Sequence, residues 1–288
     1  MEIQISELNT YPIKGCAASK HNRVEVDMYG LQHDREWMLV DDNDGFITQR
    51  RFPELARVNV GISQTALHIN APGNGTLRVP LDEAVIDNPY AVHVDFFNKP
   101  GTGIYQGPDA QNYFSDFLGK SVRLIRAEKA RNVKDACRRD GAAQQIGFAD
   151  GFPILLTSEQ SLAQLNTNLK EPVPMNRFRP NIVVTAPDLE AYDEDYWRSV
   201  EIGWLQAYVV RACARCPVPN IDQTTGTQNR SIPVTKALRK TRSGIDPIGE
   251  ANGYFFGQNL VHVLQPGVTI NIRDVVTVLE RSDKPNIN

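Results

Sequence analysis

The sequence predicts a mainly β protein with a few helices (α+β class), in two domains over residues 1–108 and 109–288, of which the first is a β-rich barrel or sandwich. Short apolar segments recur in both halves and are separated by Gly, Pro, Asn and Asp, a pattern typical of strands joined by turns. Helical spacing of apolar residues is clear at only two places. The first of these lies near the middle of the chain and indicates the domain junction.

Five short strands are predicted in the first hundred residues, at 3–8, 24–26, 37–41, 67–70 and 90–94. The first alternates apolar and polar side chains, as a strand with one buried face does. Asp44 and Gly45 are typical of a tight hairpin turn after the third strand. This pattern predicts a barrel or a sandwich for the first half.

Two helices are predicted, at 109–119 and 157–166. The first has an acidic start at Asp109 and a glycine stop at Gly119. The second places Leu162 and Leu165 on one face, after a hydroxyl residue that begins the turn. Its N-terminus offers free backbone amides that suit an anion.

The second half is also predicted to be mainly β, with strands at 181–185, 200–203, 205–210, 268–271 and 275–279. The whole sequence contains no Gly-x-Gly-x-x-Gly and no P-loop, so ordinary dinucleotide or NTP binding lacks its usual phosphate cradle. No Gly-x-Ser-x-Gly nucleophile elbow is present either.

Composition and charge limit the partners and the cellular compartment that we expect for this protein. The formal net charge of −3 is spread along the chain, which favours neither nucleic acid nor a membrane as partner. No segment approaches the roughly 20 consecutive apolar residues that a membrane helix needs, and the N-terminus alternates like a strand rather than resembling a signal peptide. Four cysteines are too few for a disulfide scaffold, so we expect a reduced, cytoplasmic protein.

Cys213 and Cys216 lie two residues apart, where an apolar strand pattern runs into a proline-rich loop. A loop thiolate flanked by arginines is a soft, anionic metal ligand in an electropositive pocket. Half of a structural zinc site is an alternative, but no second Cys or His pair completes it. A thioredoxin-like dithiol and two half-buried structural cysteines also remain open, although Pro217 and Pro219 disfavour the helix that follows a redox dithiol.

Four further motifs combine turn residues with a fixed cation. They contain Lys14 (residues 11–16), Arg35 (30–37), Arg50 (47–51) and Arg179 (177–183). Any one of these cations alone is most often a solvated surface residue. Together with Arg215 beside Cys216, they describe a pocket for a phosphorylated, anionic ligand that several guanidinium groups hold.

These motifs resemble, in order, those of the MOSC family, named after the C-terminal domain of molybdenum cofactor sulfurase. They are Tyr-Pro-x-Lys, Gly-Leu…Asp-Arg-x-Trp, Phe-Arg-Pro-Asn, Cys-x-Arg-Cys and, near the end, Phe-Gly-Gln-Asn. The resemblance covers nearly the whole chain and implies an N-terminal β-barrel domain followed by a MOSC domain. The functional relatives that the chain resembles are the amidoxime reducing component and its bacterial counterparts.

The resemblance implies a molybdenum cofactor (Mo-molybdopterin), with Cys216 as the catalytic residue and metal ligand. It also implies the cofactor-binding residues, which are Lys14, Arg35, Arg50, Ser158, Arg179, Asn181, Arg215 and Asn259. Pyridoxal phosphate binding accompanies it as a family-level term. The chain departs from the family at Gly15, where serine is common, and at Pro219 and Asn220, where the reductases often have threonines.

By this resemblance, the chain is an oxidoreductase that reduces small N-hydroxylated substrates, such as amidoximes, hydroxylamines and N-hydroxylated bases. The sequence has no Cys-rich C-terminal extension for an iron–sulfur cluster. We therefore expect electrons from a separate protein, which could be a flavoprotein reductase, a ferredoxin or a b-type cytochrome. The alternative is a carrier of persulfide sulfur or of the cofactor, without reductase turnover. A β-rich interaction protein without a cofactor would require the cation set to be coincidental.

Overall fold

The computed structural model describes residues 2–95, 100–128, 131–133, 137–142, 145–228, 233–246, 252–265 and 267–287. Strands dominate it, so the mainly β prediction is confirmed. The strands up to residue 127 are β1 (Ile3–Thr10), β2 (Ser19–His21), β3 (Arg23–Asp27), β4 (Gly30–Leu31), β5 (Trp37–Asp41), β6 (Asn59–Ile62), β7 (Ala66–Asn70), β8 (Thr76–Pro80), β9 (Ala91–Asp95), β10 (Pro100–Tyr105) and β11 (Val122–Ala127).

The strands of the second half are β12 (Arg131–Asn132), β13 (Gln145–Ile146), β14 (Ile154–Ser158), β15 (Ile182–Thr185), β16 (Trp197–Ile202), β17 (Leu205–Ala214), β18 (Ile221–Asp222), β19 (Thr227–Gln228), β20 (Ser243–Ile245), β21 (Asn252–His262), β22 (Thr269–Asn271) and β23 (Val275–Arg281). The described residues form three α-helices: α1 (Pro108–Leu118), α2 (Glu159–Asn166) and α3 (Val234–Thr241). The first two match the predicted helices to within two residues, whereas α3 was not predicted.

Seven of the described strands close into a barrel, in the order β14-β15-β1-β23-β16-β17-β21, and β21 returns to pair with β14. Buried aliphatic side chains and Trp197 fill its core. The strand β1 belongs to this barrel because it pairs with β15 and β23. The barrel that carries the cysteine loop is therefore completed by the first strand of the chain.

The barrel closes tightly at Gly257 on β21. This residue has a φ of +79°, and a Cβ there would lie 2.6 Å from Thr157 Cγ2 and 2.8 Å from the Leu156 carbonyl oxygen. Real Cβ atoms do not approach other atoms so closely, and a positive φ strains any residue that carries a Cβ. Glycine at this position allows β14 and β21 to meet.

The first half contains a four-stranded sheet, β5-β11-β10-β9, and a three-stranded sheet, β6-β7-β8. The helix α1 packs against β8 and β11 and contributes Ala110, Tyr113 and Phe114 to a core shared with Trp37. It ends at Gly119, which adopts the left-handed conformation that favours glycine after a helix. The predicted turn at Asp44 is also present, with a φ of +61°.

Candidate functional site

A cavity of about 310 Å³ is lined by residues from both halves of the chain. It brings together eight of the nine predicted site residues, which are Lys14, Arg35, Arg50, Arg179, Asn181, Arg215, Cys216 and Asn259. They come from six separate loops and strands. The fold therefore gathers a cation set that is dispersed over the sequence.

The loop after β17 carries the two cysteines. Cys213 lies on the strand and Cys216 lies beyond its end; both are half-buried, free thiols that line the cavity. Arg215 between them donates from Nη1 to Cys213 Sγ (3.1 Å) and from Nη2 to the Phe178 carbonyl oxygen (2.6 Å). Its Nε is buried without a hydrogen-bond partner in the described structure. The Arg215 guanidinium thus keeps one donor unsatisfied beside the thiols.

The ring of Tyr11 contacts two guanidinium groups. Arg35 and Arg179 lie over its ring, with Cζ atoms 4.3 and 4.1 Å from the centroid. Both arginines have left-handed backbone conformations, with φ values of +50° and +54°. Burial raises the pKa of Tyr11 to about 12, so its hydroxyl keeps its proton and donates to the Pro180 carbonyl oxygen. Two cation–π contacts with one ring favour the presence of both charges near Tyr11.

In the described structure Arg35 has a carboxylate partner and Arg179 has none. Arg35 donates to the buried Asp34, to Asn181 Oδ1 (3.0 Å) and to the Arg179 carbonyl oxygen (3.2 Å). Loss of solvent on burial lowers the pKa of Arg179 to about 10; the charge of Arg35 adds to this shift, and Tyr11 opposes it. Arg179 nevertheless remains charged at neutral pH.

The asparagines are fixed by the backbone of neighbouring strands. Asn181 precedes β15; its Oδ1 accepts from the Leu155 amide (3.1 Å) and its Nδ2 donates to the Asn9 carbonyl oxygen (3.2 Å). Asn259 lies on β21, and its Nδ2 donates to the Ala212 carbonyl oxygen (3.5 Å). Asn181 thereby links the Arg35 guanidinium to the barrel.

Lys14 and Asp150 form an ion pair in the cavity. Lys14 also donates to the Phe148 carbonyl oxygen (3.0 Å). Burial lowers the pKa of Lys14, and Asp150 opposes that shift. Desolvation raises the pKa of Asp150, but attraction to Lys14 outweighs it, so the pKa lies below its usual range. Among the described lining residues, this one carboxylate faces five cations, an imbalance that favours an anionic ligand.

Ser158 lies outside the cavity lining. It is the N-cap of α2, where its hydroxyl accepts from the Ser161 amide (3.1 Å) and donates to Glu194 (3.0 Å). Ser161 also donates to Glu194 (2.7 Å). Burial and, to a smaller extent, the negative charge of the nearby Asp195 raise the pKa of Glu194 to about 7. The Ser158 hydroxyl is therefore committed to a buried acid rather than directed at the eight gathered residues.

The structure gives roles to two of the family departures. Gly15 has a φ of +89°, which favours glycine over serine, and its carbonyl oxygen accepts from Gln49 Nε2 (2.6 Å). Asn220 faces α3: its Oδ1 accepts from the Thr235 amide (3.1 Å) and its Nδ2 donates to the Thr235 hydroxyl (2.9 Å). Asn220 therefore joins the cysteine loop to α3.

Sequence reasoning missed four residues of this region, which are Tyr11, Gln49, Asp150 and Gln223. Tyr11 lies in the recognised Tyr-Pro-x-Lys motif and Gln49 lies beside Arg50, so proximity to a cation was an available signal. Asp150 and Gln223 had no such signal, because acids and amides are common on surfaces.

One alternative for the cysteine pair, a structural zinc site, finds little support in the geometry. The part of the chain that the structure describes contains no group of three or more His, Cys, Asp or Glu placed to hold a metal ion. Structural zinc therefore lacks a ligand set there. A single cysteine that binds a metal already held by another group does not need such a cluster. Separately, none of the described helices combines the length and the apolar character needed to cross a membrane.

Two family models match this chain. The first, the MOSC N-terminal beta barrel domain, matches residues 2–121, and the second, the MOSC domain, matches residues 143–277. The chain belongs to the MOSC family. The first half is therefore a β-barrel domain of this family, while the predicted boundary between residues 108 and 109 stays a prediction.

Curated relatives agree with the family. Mitochondrial amidoxime reducing component 2 of Bos taurus is 32% identical over 238 residues, covering 80% of this MOSC protein and 70% of the relative. Mitochondrial amidoxime-reducing component 1 of Homo sapiens is 29% identical over 290 residues, covering 96% and 82%. Molybdenum cofactor sulfurase of Bos taurus is 30% identical over 250 residues, covering 79% of this chain but only 28% of that protein. The likeness to the reducing components thus extends over most of both chains.

Proposed function

We propose that this MOSC protein is a molybdenum-cofactor-binding oxidoreductase that reduces N-hydroxylated compounds, such as amidoximes, hydroxylamines and N-hydroxylated bases. The observation that carries the proposal is the charge of the cavity: five cations and one carboxylate surround a half-buried cysteine. The likeness to amidoxime reducing components supports the substrate class.

The residues present fit the cofactor. Its phosphate brings two negative charges and several acceptors, which guanidinium groups satisfy well. The buried Nε of Arg215 has no partner in the described structure, and an acceptor in the cavity would satisfy it. Cys216 offers a sulfur donor, the kind of ligand that suits a soft metal centre. Cation charge, an unsatisfied donor and a thiol therefore coincide in one cavity.

Each residue then has a definable role. Cys216 would bind the molybdenum ion, and the bound cofactor would supply the two-electron chemistry of the reduction. Arg35, Arg179 and Arg215 would hold its anionic groups, with Lys14 and the exposed Arg50 adding charge. Asn181 and Asn259 would orient the pterin with their amides. Asp150 keeps Lys14 in place by their ion pair.

Reduction of an N–OH group to N–H consumes two electrons and two protons and releases water. The described cavity residues offer no redox group of their own except the thiols. We therefore include in the proposal a separate electron-donor protein. The donors to test are flavoprotein reductases, ferredoxins and b-type cytochromes. A cytoplasmic location and the family-level link to pyridoxal phosphate stay predictions.

A carrier of persulfide sulfur or of the cofactor is the second candidate. One contact favours it: Arg215 Nη1 lies 3.1 Å from Cys213 Sγ, so a cation also faces the other thiol. A cation beside the sulfur is a setting typical of reactive cysteines. The likeness to molybdenum cofactor sulfurase supports the same candidate, although the chain spans about a quarter of that protein.

The deciding experiment measures molybdenum, pterin and persulfide in protein from a cofactor-competent host, together with benzamidoxime reduction by a dithionite-reduced viologen. Wild type, Cys216→Ser and Cys213→Ser are compared. We expect wild type and Cys213→Ser to contain molybdenum and to reduce the substrate, and Cys216→Ser to lose both. Persulfide on Cys213 without molybdenum would instead establish the carrier.

A further inference from the structure

Two glutamines from distant parts of the chain pair at one wall of the cavity. Gln49 Nε2 donates to Gln223 Oε1, and Gln223 Nε2 donates to Gln49 Oε1, each at 3.1 Å. Gln49 is almost fully buried, at 2% exposure. A reciprocal amide pair satisfies one donor and one acceptor of each residue and fixes both side-chain planes.

Within the described residues, the pair makes three further hydrogen bonds, one of which runs from Gln223 Nε2 to the Ile221 carbonyl oxygen (3.2 Å). Gln49 Nε2 also donates to the Gly15 carbonyl oxygen (2.6 Å), and Gln223 Oε1 also accepts from Arg179 Nη1 (3.4 Å). A continuous chain of hydrogen bonds therefore runs from Gly15 through both amides to the Arg179 guanidinium. The left-handed Gly15 anchors one end of this chain.

The pair also separates two cavities. Gln49 lines the cation-rich cavity, whereas Gln223 lines a second cavity of about 480 Å³. Arg179 lines both. Because Gln49 and Gln223 are hydrogen-bonded to each other, they and Arg179 form the partition between the two spaces. The Arg179 side chain therefore lies at the border of the two cavities, where its hydrogen bond to Gln223 holds it.

Arg179 has few other constraints. In the described part of the chain, Gln223 Oε1 is the acceptor that its side chain contacts, apart from the ring of Tyr11 at 4.1 Å. Arg35, which also lies over that ring, is held by Asp34 and Asn181. A neutral amide orients a guanidinium without neutralising it, whereas a carboxylate would compete with an anionic ligand.

We infer that the Gln49–Gln223 pair is a positioning element that directs Arg179 at an anionic ligand in the cation-rich cavity while leaving its charge available. The inference rests on the proposed function, because it assumes that this cavity binds a phosphorylated ligand. Gln223, which lines only the second cavity, acts through Arg179, and Gln49, which lines the cation-rich cavity, holds Gln223 in place.

The test is a double-mutant cycle on the affinity for inorganic pyrophosphate, measured by isothermal titration of cofactor-free protein. The variants are Gln223→Ala, Arg179→Lys and their combination, with the exposed Gln265→Ala as matched control. We expect each single change to weaken binding by about tenfold, the size of one charge-assisted contact. The double variant should be no more than about twofold weaker than Arg179→Lys alone, because residues that act through one another are not additive.

A second pair of variants separates positioning from simple packing. Gln223→Glu is nearly isosteric with wild type but would form an ion pair with Arg179 and neutralise it. We expect it to weaken pyrophosphate binding more than Gln223→Ala does, with thermal unfolding of both variants close to wild type. A packing role predicts the reverse order, and that order would overturn the inference. If Gln223→Ala does not fold, Gln49→Ala breaks the same pair from its other end.

The outcomes also separate the inference from the proposed function. Additive losses in the cycle overturn the positioning role but leave an anion site that depends on Arg179. Equally negligible binding by wild type and Arg179→Lys overturns both. Full affinity in Gln223→Ala, with loss only in Arg179→Lys, shows that Arg179 binds the anion without help from the amide pair and again overturns the inference.

Discussion

Two polar clusters in this protein have opposite charge and opposite degrees of pairing. The cation-rich cavity has five cations against one lining carboxylate. The acidic cluster, formed by Asp193, Glu194 and Asp195 beside α2, has a partner for each acid. Asp195 contacts Arg242 and Gln258, Glu194 contacts two serines, and Asp193 contacts Trp197 and Arg281.

The difference distinguishes a binding site from a structural one. Buried polar groups are almost always satisfied inside a folded protein, and all three acids of the cluster have partners, although Arg242 Nε is buried without one in the described structure. Arg215 Nε in the cavity is in the same position, so the difference lies in charge: in the described structure the cavity leaves Arg179 without an acid. Removing a residue should therefore affect stability in the acidic cluster and ligand binding in the cavity.

The largest contrast is expected between Arg242→Ala and Arg179→Ala. Arg242→Ala leaves the buried Asp195 carboxylate unpaired, which should lower the free energy of unfolding by about 3–5 kcal/mol. Arg179→Ala leaves no acid behind and loses mainly its contact with Tyr11, worth about 1 kcal/mol. Urea unfolding checks both values. Equal losses in the two variants would show that the charge balance does not distinguish the clusters.

Glu194 gives the acidic cluster a dependence on pH. Because its pKa is raised from 4.5 to about 7 in the fold, the unfolded chain releases this proton first. The stability that the protonated Glu194 contributes, about 3 kcal/mol, is therefore fully present below pH 4.5 and is lost as the pH rises through about 7. Glu194→Gln, which imitates the protonated acid, should remove this slope. The exposed Glu201→Gln is the control in urea unfolding at several pH values between 5 and 8.

The smallest effect concerns Ser158, which the sequence assigns to the cavity and whose contacts lie in the acidic cluster. From those contacts, Ser158→Ala should lower the free energy of unfolding by about 1 kcal/mol, the usual loss of an N-cap. Pyrophosphate affinity should stay within about twofold of wild type. A clear loss of affinity with unchanged stability would return Ser158 to the ligand site.

Strand positions followed from the sequence where one face of a strand is buried. The strands β1 and β7 lie close to their predicted ranges because apolar side chains alternate there, and β5 does so because it is a short continuous apolar run that is buried on both faces. The long strand β21 was missed, since Gly253 and Gly257 interrupt its alternation. Gly257 is required by the close approach of β14, which no local pattern reveals.

The site was predictable in its cations and not in its supporting contacts. Lys14, Arg35 and Arg179 lie in motifs with turn residues, so their types and settings indicated an anion pocket. The role of Gln49 and Gln223 depends on a hydrogen bond between side chains that are 174 positions apart in the sequence. Amides so far apart carry no signal until the fold brings them together.

The seam between β1 and β23 has a consequence for biosynthesis. These strands pair through Ile3 with Val276 and Gln4 with Val275, so the barrel joins an early and a late segment of the chain. Pairing across such a distance is slow, and here it cannot begin before the ribosome has released residue 276. A nascent chain that has already exposed Cys216 still lacks a closed barrel around it. If the proposed function holds, loading of the cofactor would follow synthesis of the chain at least as far as residue 276.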